Sequence, residues 1–424
     1  MKKILFAFAI FFTSILFAQS TYIHCGKLID TNNGKVLKEM TVVVSGSKIT
    51  AVKKGFIQAT SDQDKTINLK NKTVLPGLID MHVHIEGEYD AHSYTNRFRL
   101  ADADVAFKST VFAKRTLLAG FTTVRDLGGS GVNISLRNAI NKGTVIGPRI
   151  YTAGKAIATT GGHADPTNGV RKELRGNPGP KEGVINSPAD ARKAVRQRYK
   201  NGADVIKITA TGGVLSVAKD GSGPQFTMEE LKAIIKTAND YGMITAAHAH
   251  GAEGMKRAVL AGITTIEHGT LMTDEIMGLM KEKDTYYVPT ITAGKYVAEK
   301  AAIKGFYPAL VVPKALAIGP KIQKTFGEAY KKGVPIAFGT DAGVFPHGEN
   351  GKEFGYMVEA GMPPMKAILS ATSVNAKVLK NNAIGSIEEG KLADIIATDD
   401  DPTKNIHTLE KVSFVMKGGV VYKD

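Results

Sequence analysis

The sequence predicts an α/β fold: a (β/α)8 TIM barrel carrying a small β-sandwich assembled from both termini. Three observations lead there. Strand-like and helix-like segments alternate over residues 77–383, with candidate strands beginning near 78, 122, 149, 204, 244, 264, 286 and 335. Both ends, 19–76 and 384–424, read instead as short strands joined by turns. Side chains able to hold a metal fall at strand ends in barrel order: His82 and His84, Lys207, His248, His268 and Asp341. A doubly wound open sheet is the alternative, but a barrel brings all these strand ends to one mouth.

From the N-terminus, Met1-Lys2-Lys3 is followed by an apolar run from Ile4 to Ala18, broken by Thr13 and Ser14. This is the pattern of a secretory signal peptide over 1–18, cut after Ala18 or Ser20, so the mature chain is expected in the periplasm or secreted. A membrane anchor is the competing reading. The run is short for a span, and no stable anchor is expected after cleavage. The formal charge of +15 is scattered as singles and pairs such as Lys53-Lys54 and Lys331-Lys332, which argues against a nucleic-acid stripe. Cys25 is the single cysteine, so no intramolecular disulfide exists, and it is expected to be a partly buried bystander. Hydrophobic residues make up 43% of the 424, enough for a sizeable core. No G-x-x-x-x-G-K-[ST] loop suggests a nucleotide. Oligomeric state is left open, with a homo-oligomer allowed.

Strand-like stretches 40–55 and 65–77 are punctuated by Asn33-Gly34, Ser45-Gly46 and Lys54-Gly55, and 393–402 and 412–424 behave similarly. Neither end makes a core alone, so they are expected to pair. In the middle, Ser187, Pro188 and Asp190 open a helix that stops at Asn201-Gly202. Thr227 and Glu230 form the capping box of another, ended by Gly242. An internal echo, LAGFTTVRDLG (118–128) and LAGITTIEHGT (260–270), marks a repeated unit in which a glycine ends a helix and a β-branched strand follows.

Alternation along LPGLIDMHVH (75–84) puts His82 and His84 on one strand face. Taken singly, each candidate is ambiguous: His268 fits a satisfied core histidine, Asp341 a turn cap, Lys207 a snorkelling strand-end lysine. Together they would be expensive to bury without a cation. Lys207 is the most diagnostic, because an ammonium repels a cation whereas a neutral, buried lysine can add carbon dioxide and become an anionic carbamate able to bridge two ions. Imidazole and carboxylate ligands point to Zn²⁺ first, with Co²⁺, Mn²⁺ or Fe²⁺ as substitutes.

GLIDMHVH, VIKI, AAHAHG, IEHGT and GTDAG, in that order, resemble the amidohydrolase superfamily over nearly all of the mature sequence. The resemblance implies two divalent metal ions, with His82, His84 and Asp341 on the first, His248 and His268 on the second, and carboxylated Lys207 bridging both. His248 is taken over His250 because the family pattern puts the ligand first. Two cations would then supply hydroxide near neutral pH, with Asp341 as ligand and base passing a proton to the departing amine.

TTVRDLGG, TTGGHADP, TGGVLS and GTDAGVFPHG narrow the resemblance to the imidazolonepropionase-like and Xaa-Pro-dipeptidase-like branch. It implies a small amide or dipeptide substrate of Xaa-Pro or Xaa-Arg/Lys type. His163 and His347, on loops after strands 3 and 8, are candidates to bind its carboxylate or carbonyl, with His250 and Arg125 as further candidates. Solvent-facing loops would account for the two histidines equally well, and a structural ion pair for Arg125. His24, His92 and His407 are expected at the surface. A cyclic-amide hydrolase or deaminase is the alternative. Deaminases of the superfamily usually work with one metal and no bridging lysine, so Lys207 speaks against that version. A non-catalytic exported binding protein would need a broken ligand set, and none of the six is missing.

Overall fold

The computed structural model describes residues 19–219 and 221–424; the expected signal peptide lies outside the described residues. Four strands come first: β1 (Ser20–Asp30), β2 (Lys35–Ser45), β3 (Lys48–Lys54) and β4 (Lys65–Pro76). β1 and β2 form an antiparallel hairpin turned at Gly34, which takes a positive φ of 62°, and β4 returns parallel beside β1. Only Gly77 separates β4 from β5 (Leu78–Val83). A Cβ there would lie 2.1 Å from the Thr122 hydroxyl, so the strand enters the next layer at a point where no side chain fits.

β5 begins a ring of parallel strands. It pairs with β6 (Phe121–Asp126), which pairs with β7 (Arg149–Thr152). The short strands β8 (Ala158–Thr159) and β9 (Val184–Ile185) pair only with each other. Then β10 (Val205–Thr209), β11 (Ile244–Ala249), β12 (Thr265–His268) and β13 (Tyr286–Val288) form a second parallel sheet. Two seams close the ring. Asp204 donates to Thr152 and Ile157 to Lys207 at one, while Ala337 donates to Tyr287 and Met81 to Phe338 at the other. The eighth expected strand is therefore an extended segment near 335–342 without a regular ladder. Asp341 sits there at φ 61°, a left-handed conformation that interrupts strand pairing.

The intervening helices follow their caps. Ser187 accepts from the Asp190 amide to open Pro188–Lys200, and Thr227 and Glu230 close a full capping box on Met228–Asp240. In the two echoed units Gly120 and Gly262 adopt nearly identical φ values of 95° and 94°, as left-handed helix stops do. The chain ends in β14 (Ile395–Thr398), β15 (Phe414–Lys417) and β16 (Val420–Lys423). β14 lies antiparallel to β4, giving one seven-stranded sheet in the order β16-β15-β14-β4-β1-β2-β3. The β3 edge turns back onto residues 390–393 through bonds between Ile49, Gly390 and Lys391. The sheet thus folds over its own apolar core, including Ile23, Val42, Leu69, Ile395 and Phe414. Two expectations for this layer are corrected. Cys25 is wholly buried because it faces that core, and His24, on the opposite face of β1, is buried under Phe56 and Ile57 with Nε2 bonded to the Ile57 carbonyl. Among the described residues no helix is long and apolar enough to cross a membrane.

Candidate metal centre

At the C-terminal ends of the barrel strands His82, His84, Lys207, His248, His268 and Asp341 line one cavity of about 680 Å³, together with His163 and His250. Ligand atoms of His82, His268 and Asp341 all lie within 4.8 Å of one another. The donor geometry tests whether this set suits a cation. Asp341 Oδ1 is buried and accepts no hydrogen bond, yet it lies 3.5 Å from His82 Nε2 and 3.3 Å from His84 Nε2. His82 uses Nδ1 to donate to Glu267 (2.9 Å), and His84 uses Nδ1 to donate to the Gly128 carbonyl (2.8 Å). Each ring proton is therefore on Nδ1, and the Nε2 lone pairs confront a carboxyl lone pair. A cation between them satisfies all three, so the residues present fit a metal.

The ionisation pattern agrees. Burial lowers the His84 imidazole to about 4 and His163 and His250 to about 3, and it drives His82, His248 and His268 well below the ordinary histidine value. All are neutral ligand-type imidazoles near neutral pH. Burial is also the main cause that moves the Lys207 ammonium down, and that moves the Asp341 carboxyl up against the lowering effect of Lys207. Lys207 Nζ is 3.4 Å from His82 Nε2, placing a proton-shedding amine inside the ligand cluster.

His248 departs from the others. Its Nε2 faces the Gly212 carbonyl at 3.2 Å, which can only accept, so the proton is on Nε2 and the lone pair on Nδ1. Its ring centroid stands 4.6 Å from His268 and 4.2 Å from His163. His163 itself keeps an unpartnered, buried Nδ1 and rests where Gly213 leaves room. A Cβ on Gly213 would lie 2.3 Å from that ring.

Three of the six left-handed non-glycine residues among the described residues lie here: His268 (φ 69°), Thr290 (φ 54°) and Asp341 (φ 61°), of which the β-branched Thr290 is the most unusual. A comparison with known proteins then decides the lineage: the amidohydrolase family model matches residues 73–422. The chain belongs to the amidohydrolase family. It is a hydrolase acting on carbon–nitrogen bonds. This amidohydrolase is 31% identical to the ochratoxinase of Aspergillus niger over 433 residues, covering 96% of this chain and 87% of that one. Among solved structures it resembles a Xaa-Pro dipeptidase with methionine bound in its active site (TM-score 0.93, 55% identity, 96% of this chain and 100% of that one). It also resembles a prolidase complexed with N-methylphosphonate-L-proline (TM-score 0.87, 29% identity, 96% and 100%).

Two sequence expectations for the amidohydrolase site are corrected. Arg125 is wholly buried beneath the cavity, donating to the Met81 carbonyl (2.7 Å), the Thr265 hydroxyl (3.1 Å) and Glu267 (2.8 Å). Each of its three nitrogens is engaged by the protein and it does not line the cavity, so it is not placed to meet a substrate anion. His347 is buried outside the cavity lining, with Nε2 shared between the Gly87 (3.0 Å) and His84 (3.2 Å) carbonyls. It ties down the loop that follows the His-x-His strand.

Sequence reasoning missed Glu267. This carboxylate accepts from Arg125, His82 and Thr265 and is wholly buried, fixing the tautomer of His82 from behind. A signal was present: in the two echoed segments Arg125 and Glu267 occupy equivalent positions with opposite charge.

Proposed function

We propose that this amidohydrolase is an exported, binuclear metal-dependent dipeptidase that hydrolyses Xaa-Pro or Xaa-Arg/Lys substrates. The observation that carries the reading is the meeting of lone pairs from Asp341, His82 and His84 at one buried point. His82, His84 and Asp341 would hold one ion and His248 and His268 the other. Lys207, already driven toward the neutral amine that reacts with carbon dioxide, would bridge them as a carbamate. When bound, two zinc-type ions supply Lewis acidity at the scissile carbonyl and hydroxide near neutral pH.

The chain's own groups do the rest. Asp341 takes the proton released as the peptide carbonyl is attacked and delivers it to the departing amine, which leaves poorly without it. His163 and His250 face the same cavity as neutral imidazoles, suited to hydrogen-bond a substrate carbonyl or carboxylate. Likeness to the Xaa-Pro dipeptidase structure over nearly the whole chain supports the peptide class, and the signal-peptide pattern in the sequence of 1–18 supports export.

The test is a dipeptide library assayed against zinc-loaded protein. Cleavage of dipeptides with carboxyl-terminal Pro, Arg or Lys is expected. Opening of a cyclic amide such as the imidazolone ring, with no dipeptide cleaved, would overturn the assignment in favour of the cyclic-amide reading.

A further inference from the structure

We propose that Thr290 and Glu353 act together as a positioning relay that fixes the imidazole of His268 toward the metal, an inference resting on the binuclear reading above. Thr290 is the N-cap of the helix Ile291–Ala301. A threonine there normally turns its hydroxyl into its own helix to receive a free backbone N–H. This one makes no such bond. It adopts φ 54° and ψ 44° instead, and its Oγ1 lies 2.8 Å from His268 Nδ1. A hydroxyl can accept the Nδ1 proton, and in that arrangement, the one ligation requires, the lone pair of His268 is on Nε2.

The helix is left without its own cap, and a residue far along the chain supplies one. Glu353, on the helix Lys352–Glu359, accepts from the Ile291 amide through Oε1 (2.7 Å). Its Oε2 accepts from the Thr292 amide (2.7 Å) and the Thr292 hydroxyl (2.6 Å). A buried carboxylate at a helix N-terminus meets both the free N–H groups and the positive end of the dipole. Those three bonds hold the residues after Thr290 rigidly enough for a β-branched side chain to stay left-handed, a state of the kind that persists only when its surroundings over-determine it. From the other side, Tyr287 donates its hydroxyl to the His268 carbonyl at 2.8 Å. His268 is also left-handed, so both its backbone and its ring are pinned.

His82 is oriented by a different route, through Glu267 and Arg125. Thr290 hydrogen-bonds His268, which the binuclear reading assigns to the second ion, while His82, His84 and Asp341 are assigned to the first, so its removal should disturb the second ion and spare the first. The experiment titrates zinc into metal-free full-length protein by calorimetry and records the visible spectrum of the cobalt-loaded form. For Thr290→Val, which keeps the shape and loses the hydroxyl, one of two affinities is expected to fall about 10- to 100-fold with the other unchanged. Thr290→Ser should restore it, and Glu353→Gln should weaken the same ion, because its amide N–H₂ opposes a backbone donor. Thr290→Ala is measured in parallel, so that a folding defect in Thr290→Val does not decide the outcome. Two unchanged affinities in Thr290→Val and Thr290→Ala overturn the relay while leaving the centre standing. Equal weakening of both ions overturns it as well, by showing a general structural effect. Wild-type protein that takes up no metal overturns the binuclear reading and the relay with it.

Discussion

Truncating Glu267 to alanine separates two roles that one carboxylate performs. It faces Arg125 at 2.8 Å and His82 Nδ1 at 2.9 Å, and all three side chains are essentially without solvent contact. Removing it leaves a guanidinium buried with no counter-charge, an event that typically destabilises a protein by about 3–5 kcal/mol. Against a total folding stability of roughly 5–15 kcal/mol, that is a large fraction. His82 also loses the acceptor that fixes its tautomer, which should lower metal affinity by about 10- to 100-fold. The double variant Arg125→Met/Glu267→Met tells the effects apart. Replacing both members of a buried pair with apolar groups is often neutral or stabilising, so the double variant should regain most of the lost stability. It should not regain metal affinity. Urea unfolding of the metal-free proteins reads the first quantity and zinc titration the second. A double variant as unstable as the single one, or one with wild-type zinc affinity, would refute this division of labour.

Asp341→Asn should lower turnover by about 10²–10⁴ while removing less of the bound metal, since general acid–base work is lost and a ligand oxygen is kept; equal losses of kcat and metal content would mean that it is a ligand alone. Lys207→Ala should lose metal and activity together, with partial return in a short carboxylic acid, and native mass spectrometry of the wild type should show the added carbon dioxide on Lys207. Gly213→Ala places a Cβ 2.3 Å from the His163 ring, so it should displace that imidazole and raise KM for dipeptides; an unchanged KM would remove His163 from the substrate's surroundings. In metal-free protein, burial holds His250 near 3 and His347 near 4, below the unfolded value of about 6.5. The unfolded chain then binds more protons as pH falls, so stability is full above about 6.5 and drains toward pH 4, at about 1.4 kcal/mol per pH unit per histidine. Buried Asp80, Asp126 and Glu353, raised to about 6, 7 and 8, act with the opposite sign over the same window, so the histidine contribution is read as the difference between wild type and His347→Gln; identical pH dependence of their urea midpoints would contradict the burial argument.

The convergence of the candidate ligands on one cavity was legible because strand periodicity and barrel topology are both written into short stretches of chain. His82 and His84 alternate on β5, and Lys207, His248 and His268 fall on or at the ends of successive parallel strands. The helix caps at Ser187 and Thr227 were legible for the same local reason. What could not be read was tertiary. Arg125 was open to a substrate role until its donors were traced to β5 and β12, and His347 until its ring was found against the backbone of the first loop. Glu267 lies beside a ligand but points under the barrel mouth, and a strand pattern does not say which acidic residue will find a buried arginine. The eighth strand was placed correctly and its character was not, because a left-handed φ at a non-glycine residue such as Asp341 leaves no mark in a strand-like pattern.

Gly77 carries a mechanical implication. With one residue between β4 and β5, the phase of the His-x-His strand is inherited from a sheet whose own register is locked by pairing with β1 and β14. Inserting a single amino acid at this joint would turn β5 over by half a pleat, swinging both imidazoles away from the mouth without touching either codon. The appended layer is thus a gauge block for the first strand of the barrel, and lengthening the splice should empty the centre while also turning the buried Ile79 and Met81 out of their core.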